Sequence, residues 1–211
     1  MLELKKRSVR EEIAWRIANA VDDVLAHTAG SEREDVELRH HSELVRLPFR
    51  ALSEADVQEA MAAARPLQEK YRDVVRKLEA IPEGKRDPRW YVEPTMLFRR
   101  AGWFEGVALR YERQKKEPEQ SYELHVVRLG DVVLATNPFE YFLDFGVHIK
   151  ARSRAVQTFL VQLAGAGTYV PTERSVAGKS YGAVPASTPI GPEGGWKLAR
   201  RTVEIINELM A

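Results

Sequence analysis

A glutamate and a tyrosine in the second half of the chain could bind one ligand through their side-chain oxygens. An apolar strand predicted over Val132–Ala135 leads into Asn137-Pro138, and Glu140 follows almost directly. A second apolar strand, predicted over Thr158–Leu163, leads into a glycine-rich turn that presents Tyr169. Ligand sites in α/β proteins collect where strands end and loops begin. We therefore expect the two side chains to converge and to form half of a metal site.

Glu140 and Tyr169 have side-chain types that zinc accepts as ligands. A catalytic zinc normally has three protein ligands and one open position for water, so two ligands alone would bind it weakly. With two histidines added, the set could activate water or a serine hydroxyl against an amide carbonyl. Simpler interpretations stay open. A carboxylate in the first turn of a helix stabilises exposed amides, and an amphipathic tyrosine ring can close a glycine turn.

The five histidines do not follow a spacing typical of a metal site. His40 and His41 are neighbours on a predicted strand, so their side chains point to opposite faces. His27 lies at a helix end, where the helix dipole favours its charged form. His125 lies in a predicted strand, and His148 has no partner four residues away or in an H-x-H motif. We predict that none of them binds a metal.

Two further features near Glu140 have structural interpretations. Gly165-Ala-Gly167 follows a strand but lacks the spacing of a dinucleotide or P-loop fingerprint. We interpret it as a turn in which glycine lets the backbone pass close to the metal site. Lys150 and Arg152 close the helix predicted over residues 140–150, where cations complement the helix dipole. The alternative is contact with an anionic group of a substrate.

The composition excludes several classes of protein. The net charge is +1 with 30% charged residues, so no strong field draws the chain to nucleic acid or to a membrane. The absence of cysteine excludes disulfides and thiolate metal sites but leaves the compartment open. Met1–Arg7 does not resemble a signal peptide, and the apolar run Thr158–Ala166 is too short to span a bilayer. We expect a soluble globular chain.

The elements that must position the site follow from hydrophobic spacing and capping residues. Ser8 and Glu11 form a capping box that opens a helix, and Pro66 is expected to end or kink another. The predicted helices cover residues 9–27, 53–66, 67–78, 95–113, 140–150 and 194–210. The predicted strands cover residues 36–50, 122–128, 132–136 and 158–163, with a tight hairpin at 129–131 and a long loop over 172–195. The predicted class is mixed α/β, with a sheet flanked by helices in one unit spanning 1–211. Residues 1–120 are mostly helical, and residues 121–211 carry the candidate site.

The segment from about Val127 onward resembles the C-terminal part of the catalytic domain of the neutral/alkaline ceramidase family. It is most similar to bacterial members of that family. The motifs that carry this resemblance are R-L-G-D-V-V-L at 128–134, P-F-E at 138–140, G-V-H-I-K-A-R-S at 146–153, T-Y-V-P-T at 168–172 and G-K-S-Y-G at 178–182. In the family, the P-x-E glutamate and the tyrosine after the strand are two of four zinc ligands. The resemblance implies that Glu140 and Tyr169 are metal ligands and that Tyr181 lies in a loop over the substrate pocket.

Several family features have no counterpart in this sequence. It contains neither the G-H-x-H-type segment that supplies the histidine ligands nor the motif of the catalytic serine. Phe139 replaces a glycine of the family motif, Ala164 stands where an asparagine is expected, and no immunoglobulin-like domain follows Ala211. The resemblance therefore implies the C-terminal half of a larger catalytic domain, as a fragment, a truncated product or one part of a split protein.

The function that the resemblance implies is zinc-dependent hydrolysis of an amide bond. The expected substrate is a small amide or a lipid-like compound. Because the domain would be incomplete, we expect the isolated chain to be inactive. A second chain, a missing N-terminal half or a further copy of this chain are the expected partners. Family members are often secreted, but this chain leaves its compartment undecided. The alternative is a non-catalytic module that binds a ligand or a protein and keeps only the scaffold. Exposed apolar surface would favour the incomplete domain, and a well-sealed monomer or dimer would favour an independent protein.

Overall fold

A computed structural model of the 211-residue chain describes residues 7–28, 30–82 and 86–211. The chain divides into two compact units, Met1–Glu37 and Leu38–Ala211. In the first unit, helix α1 (Val9–Thr28) begins with the predicted capping box: the Ser8 amide donates to the Glu11 carboxylate at 2.7 Å, and the Glu11 amide donates to the Ser8 hydroxyl at 3.3 Å. The prediction that the first residues are not a signal peptide concerns mainly residues 1–6, which lie outside the described ranges.

The second unit is a mixed α/β fold, which confirms the predicted class. Its helices are α2 (Glu54–Glu79), α3 (Val92–Gln114), α4 (Leu143–Arg152), α5 (Glu173–Ala177) and α6 (Pro192–Leu209), with single 3-10 turns at Tyr181–Ala183 and Pro185–Ser187. Its strands are β1 (Leu38–Pro48), β2 (Glu119–Leu129), β3 (Val132–Thr136), β4 (Glu140–Tyr141), β5 (Gln157–Val161) and β6 (Tyr169–Val170). None of the helices in the described ranges combines the length and apolarity needed to cross a bilayer.

The main sheet has four strands in the order β1-β2-β3-β5. The first three strands are antiparallel, and β5 runs parallel to β3. Side chains alternate in direction along a β-strand, so successive residues lie on opposite faces of the sheet. One face forms the core with α4 and α6, through buried side chains that include Leu47, Leu124, Phe145, Ile149 and Ile206. The other face carries exposed large apolar side chains, namely Leu38, Leu44, Leu129, Phe159 and Val161.

Helices α2 and α3 form an antiparallel pair that follows β1 in the chain. The Gln68 side chain on α2 hydrogen-bonds Glu105 on α3, and Ala60 and Val107 are buried where the two helices meet. Pro66 was predicted to end or to kink a helix. It does not end α2, which continues to Glu79. Proline in a helix interior removes one backbone hydrogen bond. Packing of the long amphipathic face against α3 outweighs that loss.

An ion pair joins β1 to α6 and makes the stability of the fold depend on pH. Arg201 Nε and Nη2 donate to the two Glu43 carboxylate oxygens at 2.7 and 2.8 Å. These hydrogen bonds from Arg201 hold the pKa of Glu43 at about 2, below its ordinary value of 4.5. A carboxylate whose pKa is lowered by folding contributes stability above its unfolded pKa and loses it as the pH falls toward the folded value.

We expect Glu43→Gln to flatten the acid limb of the stability profile. Between pH 4.5 and about 2, the wild-type free energy of unfolding should fall by about 1–2 kcal/mol more than that of the variant, after the linkage value is reduced for solvent screening. Urea titrations at a series of pH values measure this difference, with the exposed Glu79→Gln as the matched control. Parallel acid limbs in the wild type and Glu43→Gln would contradict the prediction.

Candidate metal and ligand site

Glu140 and Tyr169 are direct partners in a second, two-stranded sheet. Strands β4 and β6 are parallel and pair Glu140 with Tyr169. The Glu140 amide donates to the Thr168 carbonyl at 3.1 Å, and the Phe142 amide donates to the Val170 carbonyl at 3.3 Å. The predicted helix start at Glu140 was wrong, because Glu140 lies in a strand and α4 begins three residues later. The helix-dipole interpretation of this carboxylate therefore does not apply.

The side chains of this pair interact with each other. Hydrogen bonding to the Glu140 carboxylate and the negative charge of that group raise the pKa of Tyr169. Glu140 and Tyr169 would each supply one oxygen to a cation held at this pair.

The chain before Glu140 is fixed by backbone hydrogen bonds to the segment that leads to Tyr169. The Phe139 amide donates to the buried Asn137 Oδ1 at 2.9 Å. The Asn137 and Phe139 carbonyls accept from the amides of Ala164 and Leu163 at 2.9 and 3.3 Å. The asparagine thus turns the chain out of β3 and sets the position of β4. Ala164 stands where the family resemblance predicts an asparagine. Its backbone amide makes the hydrogen bond to the Asn137 carbonyl.

The Gly165-Ala-Gly167 turn lies against Pro138, as its interpretation as a close backbone approach predicted. Gly165 has φ +144°, a conformation that favours glycine. A Cβ on Gly167 would collide with the carbonyl oxygen of Pro138. The turn can therefore bring Tyr169 beside Glu140 only because no side chain stands at residue 167.

Tyr181 lies next to Tyr169. The two rings are perpendicular with centroids 6.0 Å apart, and the other side of Tyr181 stacks on Trp103 of α3 at 6.0 Å. Gly182 leaves room for the Tyr169 ring, which a Cβ would approach to 2.9 Å. The structure therefore brings together all three residues singled out from the sequence, in the order Glu140, Tyr169, Tyr181. Their roles as ligands and as a substrate contact stay predictions.

A groove of about 810 Å³ begins at Tyr181 and runs between α2 and α3. Tyr181 is 73% exposed, so its ring forms part of the groove wall instead of filling the core. The lining is mostly apolar, with arginines and acids among it: Asp56, Glu59, Ala60, Ala63, Met96, Arg99, Arg100, Trp103, Phe104, Val107, Tyr181, Val184, Pro185 and Ala186. The sequence pattern did not single out Trp103, Arg99 or Arg100. No sequence signal connects α3 with a loop almost eighty residues later.

The described residues supply too few donors for a complete zinc site. No group of three or more histidine, cysteine, aspartate or glutamate side chains in those ranges could hold a metal ion. His148 packs against Trp196 on α6, where burial and then the charges of Arg152 and Arg200 lower its pKa. His40 and His125 stack on each other on the main sheet. Glu140 and Tyr169 alone therefore do not fit a catalytic zinc, which normally needs three protein ligands.

The segment over residues 172–195 contains more helical structure than the sequence predicted. The long loop predicted over 172–195 was wrong in part, because it contains α5, two 3-10 turns and the first turn of α6. A capping box between Thr172 and Ser175 opens α5. The Ser187 hydroxyl donates to the Tyr181 carbonyl at 2.9 Å and closes the segment on itself.

Comparisons with known proteins give one distant structural likeness. No family model and no curated protein matches the chain. Among solved structures, the chain is similar to one described as "Ceramidase complexed with C2", with 17% identity and a TM-score of 0.38. The match covers 43% of this chain and 15% of that chain. A likeness this weak carries no argument about function, so the zinc and amidase expectations stay predictions.

Proposed function

We propose that this chain supplies two oxygen ligands, Glu140 and Tyr169, to the zinc site of an amide hydrolase. The remaining ligands come from another polypeptide segment. The single observation that carries the proposal is the direct pairing of these two residues on β4 and β6. The charge of Glu140 also acts on the Tyr169 phenol and raises its pKa. Tyr181 joins this pair to the groove, where the apolar part of a substrate would lie.

The open apolar surface of the main sheet supports the need for a further segment. Leu38 on β1 and Leu129 on β2 are cross-strand partners, and both are exposed. Phe159 and Val161 on β5 add exposed apolar side chains to the same face. Contiguous exposed apolar side chains mark interaction surfaces. The occupant that suits this proposal is a segment with the histidine motif and the serine motif that the family resemblance requires and that have no counterpart in this sequence. The isolated chain should therefore have no amidase activity.

The test is a zinc titration of the isolated chain followed by near-ultraviolet absorption. Zinc held by Glu140 and Tyr169 would take the tyrosine as its phenolate, so we expect a weak, saturable tyrosinate signal. Glu140→Ala and Tyr169→Phe should each abolish it. The exposed Glu79→Ala and Tyr91→Phe are the matched controls and should leave it unchanged.

Two outcomes would overturn the proposal. One is the absence of a tyrosinate signal up to the solubility limit of zinc. The other is a signal that survives both Glu140→Ala and Tyr169→Phe. Circular dichroism of the two variants shows whether a lost signal reflects a lost fold.

The second candidate function is a non-catalytic ligand-binding module. The groove favours it, because the described residues form the groove without any contribution from a partner. Its apolar wall, with Arg99 and Arg100 as well as Asp56 and Glu59, suits an amphiphilic compound with a polar headgroup. A chain that binds such a compound but shows no zinc response would have this second function.

A further inference from the structure

The large apolar side chains of helix α1 are exposed along its whole length. Six of them are between 51% and 62% exposed, namely Val9, Ile13, Ile17, Val21, Val24 and Leu25. Within this helix only Glu12 is buried. A helix of 20 residues is marginally stable by itself in water, because most helical stability in proteins comes from packing of an apolar face. The apolar stripe of α1 therefore needs a partner surface.

The spacing of the stripe is that of a helix pair. Its central residues Ile13, Ile17, Ala20 and Val24 follow one another at intervals of four, three and four residues. This alternation is typical of the a and d positions that form the seam between two helices lying side by side. Val21 occupies an e position and widens the stripe on one edge. The stripe is therefore suited to a second helix of the same kind.

An antiparallel second copy of α1 fits this seam better than a parallel copy. With Ile17 opposite Ala20 of the second copy, a large side chain faces a small one, and Ile13 then faces Val24. Large and small side chains in facing positions interdigitate and fill the seam. A parallel pair would instead set Ala20 against Ala20 and leave a gap between them. The order of side-chain sizes along the stripe therefore favours the antiparallel pair.

Two charges on one edge of the stripe favour the same orientation. Arg16 and Asp23 are seven residues apart, which is about two turns, so both lie on the edge opposite to that of Val21. In an antiparallel pair this edge faces the same edge of the second copy, and each Arg16 meets an Asp23. Arg16 Nε donates to Glu12 of its own helix at 3.0 Å, yet the Arg16 side chain is 66% exposed. The antiparallel pair thus gains two symmetric ion pairs, which a parallel pair cannot form.

We propose that α1 is a dimerisation helix that pairs antiparallel with α1 of a second copy of this chain. At the observed exposure, the stripe offers about 500 Å² per copy and about 1,000 Å² in total, which is the lower limit of specific interfaces. For a seam of about two heptads we therefore expect a dissociation constant on the order of 10 µM. The pairing does not depend on a metal at Glu140 and Tyr169.

Sedimentation equilibrium of the purified chain tests the pairing, at concentrations from about tenfold below to about tenfold above the expected dissociation constant. We expect the mass to rise from that of one chain to that of two. Ala20→Glu should raise the dissociation constant at least about tenfold, because it places a charge inside the seam from each copy. Ala18→Glu is the matched control, since Ala18 is exposed and lies outside the stripe. This variant should dimerise like the wild type.

Charge reversal tests the orientation of the pair. Arg16→Asp should weaken the dimer about three- to tenfold, because it sets an acidic side chain opposite Asp23 of the second copy. Combining Arg16→Asp with Asp23→Arg should recover most of this loss, since both ion pairs form again with reversed polarity. A general effect of either substitution on the helix would not be recovered in this way.

The dimerisation helix is ruled out by any of four results. A wild-type chain that stays monomeric over the whole range does not pair through α1. A dimer that persists unchanged in Ala20→Glu uses another surface, such as the open face of the main sheet. Equal losses in Ala18→Glu and Ala20→Glu would show an effect of charge that does not involve the stripe. Failure of the double variant to recover the loss caused by Arg16→Asp would exclude the antiparallel pair.

Discussion

Gly167→Ala is expected to destabilise the second unit by about 3 kcal/mol or more, which is a large fraction of the stability of a domain. The added Cβ would overlap the carbonyl oxygen and carbon of Pro138 and the ring of Phe139. Backbone atoms cannot move aside as a flexible side chain can. The strand pair β4–β6 must therefore separate, and Tyr169 must move away from Glu140. Urea unfolding followed by tryptophan fluorescence measures the loss.

Two glycines on α3 provide the control for Gly167. A Cβ at Gly102 or Gly106 would meet nothing within 4 Å, and both positions lie in the helix interior. Alanine there should stabilise the protein by about 0.5–1 kcal/mol, because glycine weakens a helix. The steric argument fails if Gly167→Ala costs less than about 1 kcal/mol or behaves like the two α3 variants.

Phe139→Ala should cost about 3–5 kcal/mol, the usual range for removing a fully buried aromatic side chain. The ring of Phe139 is completely buried and packs against Tyr122 on β2 with ring centroids 4.7 Å apart. Phe139 directly precedes Glu140, so the same cavity would loosen the strand that carries the candidate ligand. Urea denaturation should show a lower midpoint with an unchanged slope.

An exposed phenylalanine serves as the reference for Phe139. Phe98 on α3 is 63% exposed, and its ring lies beside that of Tyr71 with centroids 5.7 Å apart. Phe98→Ala should cost less than about 1 kcal/mol. A similar cost for Phe98→Ala and Phe139→Ala would mean that burial in the core does not determine the contribution of Phe139.

The sequence predicted most elements whose signals are local. The capping box at Ser8, the hairpin at residues 129–131 and the amphipathic period of α6 each depend on neighbouring residues, and the structure contains all three. Where tertiary packing outweighed a local rule, the outcome differed. The helix does not end at Pro66, one of the two outcomes predicted there, because α3 packs along α2. Glu140 lies in a strand, because its amide is committed to the carbonyl of Thr168.

The candidate site likewise combines features that the sequence specifies with features that only the folded chain sets. The residue types and their order after two strands singled out Glu140 and Tyr169, and the family resemblance added Tyr181. Their contact depends on distances between segments about thirty to forty residues apart, which only the folded chain sets. Trp103 could not be found from the sequence, because no periodicity links α3 to the loop that contains Tyr181. Local chemistry thus determined which side chains could act, and long-range packing decided which of them meet.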